Sequence, residues 1–271
     1  MVIVAHPGDE AFGFAGAISQ AVAEGAYVVV VCATRGRFDA RLLDKSAAPG
    51  GRNRHYTRPV VWRNLDTVRE DEMRRSVTLL GVRVLRMLDY AEEDLARVDF
   101  DELVSRLVEP IRMHRPEVVL TFGPDGVSGD SDHVVLSRAA EAAFERAGRP
   151  LAYEDDLEED QVAWRAAKLY HLAVPAAQLA ALGDRAPDEY GSGDDGGGTL
   201  SIELGELAQL KLAAISRHVS QTGSDGPFSD WTPEMRDAFL ASEHYRLARS
   251  NLPVPAGAGD TAESSLWDGL A

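Results

Sequence analysis

The N-terminal stretch Met1-Val2-Ile3-Val4-Ala5-His6-Pro7-Gly8-Asp9-Glu10 joins a short apolar run to a polar turn. A continuous apolar run predicts a strand covered on both faces, as in a parallel sheet. Similar runs alternate with longer amphipathic stretches, which predicts right-handed βαβ units. We predict strands at 2–5, 27–33, 82–88, 117–122 and 168–174, and helices at 12–24, 65–80, 100–114, 133–147, 204–218 and 233–249. The pattern indicates an α/β fold: a single domain with a Rossmann-like open, mostly parallel sheet and helices on both faces.

The predicted domain covers residues 1–252. A basic insertion at 36–64 interrupts it, and so does a segment at 184–199 that is rich in Gly, Asp and Ser and for which we expect a flexible loop. Residues 253–271 are expected to form a disordered tail.

Composition narrows the class of protein. The 271 residues carry a formal net charge of −16, which argues against nucleic-acid and membrane-surface partners because both are polyanionic. No apolar segment reaches the roughly 18 residues of a membrane span. Cys32 is the only cysteine, so an intrachain disulfide is excluded and a cytoplasmic location is expected.

The insertion inverts the charge of the chain locally. The stretch 35–63, which takes in Arg35 just before the insertion, has eight basic residues against two acidic ones. One interpretation is a flap that recognises an anionic or hydroxyl-rich substrate at the sheet edge. The other is a solvated loop or a subunit contact in a homo-oligomer, and the sequence favours neither.

Two motifs follow predicted strands and carry metal-binding side chains. His6 and Asp9 follow the first strand, and Asp132-His133 follows the strand at 117–122. Because ligands collect beyond the carboxyl ends of parallel strands, these side chains are expected to meet. Two histidines and one aspartate leave a coordination position open, as in catalytic zinc sites, and Asp132 could orient a ligand. We predict a divalent metal, Zn²⁺ in the first place, held by His6, Asp9 and His133.

Several motifs together resemble a known family. They are His6-Pro7-Gly8-Asp9-Glu10, Thr34-Arg35-Gly36, Val68-Arg69-Glu70-Asp71-Glu72, Leu88-Asp89-Tyr90, Thr121-Phe122-Gly123-Pro124-Asp125-Gly126, Gly129-Asp130-Ser131-Asp132-His133 and His218-Val219-Ser220-Gln221. They resemble the LmbE-like (PIG-L) family of zinc-dependent de-N-acetylases, which carries His-Pro-Asp-Asp-Glu and Gly-His-Pro-Asp-His motifs. A Rossmann dinucleotide site is disfavoured, because no Gly-x-Gly-x-x-Gly follows the first strand.

The resemblance implies a hydrolase that removes an N-acyl group, typically acetyl, from a small amide such as an N-acetylglucosamine conjugate. It matches His6, Asp9 and His133 to the metal ligands of the family. It also implies that Arg69 and Glu92 contact substrate hydroxyl groups.

Three positions depart from the family pattern. The expected general base is Gly8, the first histidine of the later motif is Asp130, and a frequent tyrosine is Ser128. Asp130, Asp132 and Glu10 remain as candidate catalytic carboxylates, and an Asp at position 8 is expected to raise activity. The alternative function is a degenerate relative that binds metal and a sugar-like ligand without efficient turnover.

Two further histidines have structural explanations. His218 lies near the end of a predicted helix, where capping and a place at the rim of the site are equally favoured. His244 is predicted to be a packed helix residue.

Overall fold

The computed structural model describes residues 1–36, 64–92, 94–127, 129–150, 152–153, 162–182, 200–222, 231–253 and 263–270. Residues 37–63 of the basic insertion, Ser128 and the predicted loop at 184–199 lie outside these residues.

A single sheet of seven strands organises the described chain. The strands are β1 (Val2–Val4), β2 (Val29–Thr34), β3 (Val84–Tyr90), β4 (Val118–Phe122), β5 (Lys168–Ala173), β6 (Leu200–Glu203) and β7 (Ser242–Ser250). Their order is β3-β2-β1-β4-β5-β7-β6. The first five are parallel, and β7 is antiparallel to both β5 and β6. Every residue of β1, β2 and β4 is buried. The predicted fold class is confirmed.

Helices cover the sheet between these strands. They are α1 (Asp9–Gly13), α2 (Ala15–Ala23), α3 (Leu65–Leu79), α4 (Phe100–His114), α5 (Ser131–Ala147), α6 (Ala176–Leu182), α7 (Leu207–Ile215), α8 (Val219–Thr222) and α9 (Pro233–Phe239), with a 3₁₀ turn at Leu95–Arg97. In one layer α4 packs on α5, and in the other α2 and α3 pack on α7. Right-handed crossovers explain the two layers, because the chain winds from β1 toward β3 on one side and from β4 toward β5 on the other. The winding reverses between β1 and β4.

The first predicted helix is broken in two. Phe14 leaves the helical conformation, with φ −134° and ψ 1°, and α2 begins at the next residue. The break exposes main-chain donors at the start of α2, and the Glu243 carboxylate accepts hydrogen bonds from the N–H groups of Gly16 and Ala17. A buried carboxylate from a distant strand therefore stabilises the start of this helix.

The prediction of a helix at 233–249 is wrong for its second half. After α9 the chain forms β7, in which the buried residues Glu243 and Tyr245 alternate with half-buried His244 and Arg246. The sequence does not show this alternation as a pattern of apolar and polar residues, because Glu243, one of the two inward-facing residues, is charged. Glu243 is buried beside Lys211, whose ammonium donates to its carboxylate over 2.9 Å. His244 consequently lies on a strand and not on a helix.

The end of the chain also differs from the expected disordered tail. Residues 263–270 pack on the sheet, and Leu266 is buried. The Glu263 carboxylate accepts hydrogen bonds from the Lys168 ammonium at 2.6 Å and from the Tyr170 hydroxyl at 2.7 Å. The prediction of disorder is wrong for residues 263–270. They are held on the sheet because Glu263 neutralises the ammonium of Lys168, a residue that is 1% exposed.

Glu263→Ala is expected to lower the free energy of unfolding by about 3 kcal/mol, because it leaves the buried Lys168 ammonium without its carboxylate. Urea denaturation measures the change. Glu203→Ala, at an exposed position of β6, is the matched control and is expected to change stability by less than about 0.5 kcal/mol. Equal losses in the two variants would show that the Lys168 contact does not anchor this segment.

The sequence predicts no apolar segment as long as a membrane span. Among the described residues, no helix is both long enough and apolar enough to cross a bilayer.

Candidate metal centre

The candidate ligands converge where the winding of the sheet reverses. His6 and Asp9 follow β1, and His133 lies in the first turn of α5, after β4. His6 Nδ1 lies 3.2 Å from His133 Nε2, while Asp9 Oδ2 lies 3.4 Å from His133 Nε2 and 3.7 Å from His6 Nδ1. Atoms bound to zinc at about 2.0–2.1 Å in a tetrahedron lie about 3.3 Å apart, so the three atoms fit one such ion.

The other ring nitrogen of each histidine has a protein partner. His6 Nε2 lies 3.3 Å from Asp132 Oδ2, and His133 Nδ1 lies 3.0 Å from the Gly126 carbonyl oxygen. Both partners accept hydrogen bonds, so they favour the tautomers whose lone pairs face Asp9. Asp132 is itself held by the Leu95 N–H group. The orientation of both imidazoles thus matches that of metal-binding histidines.

The electrostatics of the cluster favour positive charge. Burial alone would lower the pKa of His6, but the hydrogen bond to Asp132 and the charge of Asp9 raise it to about 9. Burial opposes protonation of His133 in the same way, and the charge and hydrogen bond of Asp9 raise its pKa. Burial would raise the pKa of Asp9, yet the charge of His133 lowers it. The carboxylates stabilise a cation here, whether protons or a metal ion carry the charge.

Asp130 is a third acidic group at this point, after Asp9 and Asp132. It caps the N-terminus of α5, because its Oδ1 accepts hydrogen bonds from the N–H groups of Asp132 and His133. Ligand atoms of His6, Asp130 and His133 lie within 4.8 Å of one another, so this carboxylate could also contact a cation. The Asp9 oxygen fits better, because its distances to the imidazoles are 3.4 and 3.7 Å.

Gly8 has a conformation that disfavours other residues. Its φ is +112°, and a Cβ there would lie 2.8 Å from Oε1 of Gln221. That oxygen is buried and has no hydrogen-bond partner among the described residues. The sequence does not predict this contact, since Gln221 lies far from Gly8 along the chain. A side chain at position 8 would have to displace Gln221.

Glu10 does not face the ligand cluster as a free carboxylate. It is fully buried, one oxygen accepts the Gly8 N–H group at 2.9 Å, and the other lies 2.7 Å from His218 Nε2. The prediction of a catalytic role for Glu10 is therefore not supported by the geometry. We regard Glu10 as a positioning residue for the turn of His6 and Asp9, with His218 as its partner instead of a helix cap.

Arg69 and Glu92 contact each other beside this cluster. Arg69 Nη1 donates to Glu92 Oε2 over 2.6 Å and to the Gly36 carbonyl over 3.2 Å. Arg69 is fully buried, whereas the side chain of Glu92 is 12% exposed. Arg35, the first residue of the basic stretch, pairs with Glu70 and Asp89 at the same edge. The basic stretch starts at the ligand edge, and the rest of it lies outside the described residues.

A known protein family matches the part of the chain that holds this cluster. The model of the GlcNAc-PI de-N-acetylase family, PIG-L, matches residues 1–144, which include all three candidate ligands. This chain belongs to the PIG-L family. The predicted resemblance is thereby confirmed.

Individual relatives extend the PIG-L match to the whole chain. A 1D-myo-inositol 2-acetamido-2-deoxy-alpha-D-glucopyranoside deacetylase of Geodermatophilus obscurus is 29% identical, over 100% of this chain and 97% of its own. Among solved structures, the N,N'-diacetylchitobiose deacetylase of Pyrococcus horikoshii has a TM-score of 0.65 at 20% identity, covering 91% of this chain and 82% of its own. The 4-carboxy-2-hydroxymuconate hydratase GalB of Pseudomonas putida KT2440 has a TM-score of 0.58 at 16% identity, covering 94% and 98%.

Proteins that share this fold catalyse different reactions. A hydratase shares the fold, so the fold alone does not determine the chemistry. The family and the full-length relative are de-N-acetylases, which supports an enzyme of the PIG-L type and does not favour a degenerate binding protein.

Proposed function

We propose that this protein is a zinc-dependent hydrolase that removes the N-acetyl group from an N-acetylglucosamine conjugate, such as an inositol glycoside. The cluster of His6, Asp9 and His133 carries the proposal. Its donor atoms lie 3.2–3.7 Å apart, and each imidazole is oriented by a second hydrogen bond. We assign the protein to the cytoplasm, in keeping with its single, buried cysteine.

His6, Asp9 and His133 would hold the metal, and Asp132 would position His6. When bound, a zinc ion supplies a Lewis acid for the amide carbonyl and lowers the pKa of a water molecule to about 7. The residues around the ion would transfer the proton and bind the substrate.

Asp130 is the residue that we assign to proton transfer. Gly8 lacks a side chain, and both oxygens of Glu10 are engaged, so Asp130 is the carboxylate best placed beside the ligands. It would take a proton as water attacks the acyl carbon and return it to the nitrogen as the C–N bond breaks. The products are a carboxylate and an amine, and a positioned acid–base contributes roughly 10²–10⁴-fold.

Glu92 is the group that we assign to a substrate hydroxyl, because its side chain is partly exposed. Arg69 is fully buried, so it would act by orienting Glu92 instead of touching the sugar.

Zinc-loaded protein is expected to release acetate from N-acetylglucosaminyl-inositol in a time-dependent assay, and metal-depleted protein is expected to release none. The free amine is quantified alongside the acetate, since hydrolysis produces both in equal amounts. Stoichiometric zinc binding without release of either product from any N-acetylglucosamine conjugate would contradict the proposed function.

A further inference from the structure

A cavity of about 150 Å³ opens beside the ligand cluster, with Asp9 and His133 in its wall. The other described residues in its wall include an apolar set: Phe12, Phe122, Val127, Leu172, Val174 and Phe239. The ring of Phe122 stacks on that of His133, with centroids 3.9 Å apart and planes 6° apart. The apolar wall therefore begins directly at a proposed metal ligand.

The polar side chains of the cavity are bonded within the protein. Gln178 donates to two main-chain carbonyl groups, and the hydroxyl of Ser242 lies 2.8 Å from His244 Nε2. Lys211 and Glu243 form a buried ion pair that leaves no net charge. A charged occupant would have to disrupt these contacts, so the cavity suits a neutral, apolar group.

The cavity and the polar pair border different strands of the sheet. Glu92 follows β3, and Arg69 contacts Gly36, two residues after the end of β2 at Thr34. The strand residues that line the cavity belong to β4, β5 and β7, on the other side of the β1–β4 switch, and residues of α1, α5, α6, α7 and α9 also line its wall. An amide held at the metal ligands would have its sugar on the polar side and its acyl group on the apolar side.

We propose that this cavity binds the N-acyl chain and that the enzyme prefers an acyl group of about six carbons over acetyl. The inference rests on the proposed function and specifies its substrate. An apolar cavity of about 150 Å³ accommodates benzene, which also has six carbons, whereas the methyl group of acetyl fills only part of it. Hydrolysis would join the oxygen of water to the acyl carbon, break the C–N bond and yield hexanoate and the amine.

Three ligands test where the apolar group lies: N-acetylglucosamine, N-hexanoylglucosamine and hexyl N-acetylglucosaminide. Calorimetry on metal-depleted protein measures the Kd without turnover, and kcat/KM is measured on zinc-loaded protein. Each added methylene is worth about fourfold when fully buried. N-hexanoylglucosamine is therefore expected to bind at least about tenfold more tightly than the acetyl compound, while the hexyl glycoside gains little.

Val174→Phe fills the cavity and is expected to remove the preference for hexanoyl over acetyl. Phe239→Ala removes one wall and is expected to reduce the same preference, so that the test survives if one variant folds poorly. Val162→Phe is the matched control, because Val162 is 63% exposed and is not among the residues lining the cavity.

Equal affinity for the acetyl and hexanoyl compounds would overturn the inference, as would a hexyl glycoside that gains as much as the hexanoyl compound. Acetate release with no hexanoyl preference would refute the inference and leave the proposed function standing. A hexanoyl preference in binding, lost in Val174→Phe, without any hydrolysis would refute the proposed function alone.

Discussion

His133→Ala is expected to lower kcat/KM for deacetylation by about 10³-fold or more and to reduce bound zinc from one equivalent to below one tenth. The ion supplies several kcal/mol of transition-state stabilisation, and two remaining ligands hold it poorly. Elemental analysis and acetate release, measured on the same preparation, test both parts. His114→Ala is the matched control, since His114 ends α4 and its ring centroid lies 6.3 Å from that of Tyr27, away from the ligand cluster.

Asp132→Asn is expected to weaken zinc binding less than His133→Ala does. It keeps the shape of the side chain and weakens its hold on His6, so a loss of about 10–100-fold in zinc affinity is expected.

Full zinc binding in His133→Ala would contradict the ligand assignment. Full activity without zinc would refute the metal-dependent reaction.

Asp130→Asn is expected to lower kcat by about 10²–10⁴-fold while zinc binding and stability stay close to those of the unchanged protein. Asparagine is a good N-cap, so the hydrogen bonds that start α5 survive and only the carboxylate is lost. The control is Asp99→Asn, the same substitution at the cap of α4, where the side chain accepts the Glu102 N–H group. Equal activity of Asp130→Asn and Asp99→Asn would exclude Asp130 as the proton carrier.

The structure changes the expectation for position 8. The sequence predicts that Gly8→Asp raises activity, because the family has a carboxylate there. A φ of +112° is strained for aspartate, and the new Cβ would lie 2.8 Å from Gln221 Oε1. The gain from a second carboxylate therefore requires Gln221 to move, and the assignment of Asp130 does not depend on it.

The convergence of His6, Asp9 and His133 could be predicted because these residues border strand ends. His6 and Asp9 follow one apolar run and His133 follows another, and parallel strands bring such positions to one edge. The topology that makes β1 and β4 neighbours places these residues at the reversal of winding. Local sequence pattern and motif resemblance were sufficient to predict that these three side chains lie together.

Contacts between distant segments could not be predicted in this way. Nothing near Glu10 indicates that His218 will pair with it, and nothing near Gly8 indicates Gln221. The strand β7 was missed because Glu243, an inward-facing residue, carries a charge that only Lys211 and the start of α2 explain. Partners of buried polar groups depend on tertiary structure, which the pattern of hydrophobic residues does not record.

Anomalous diffraction at the zinc edge, from crystals of zinc-loaded protein, tests the metal centre most directly. The expected result is one peak per chain, about 2 Å from His6 Nδ1, Asp9 Oδ2 and His133 Nε2. A peak bonded to Asp130 in place of Asp9, or the absence of any peak among these three side chains in zinc-saturated protein, would contradict the account.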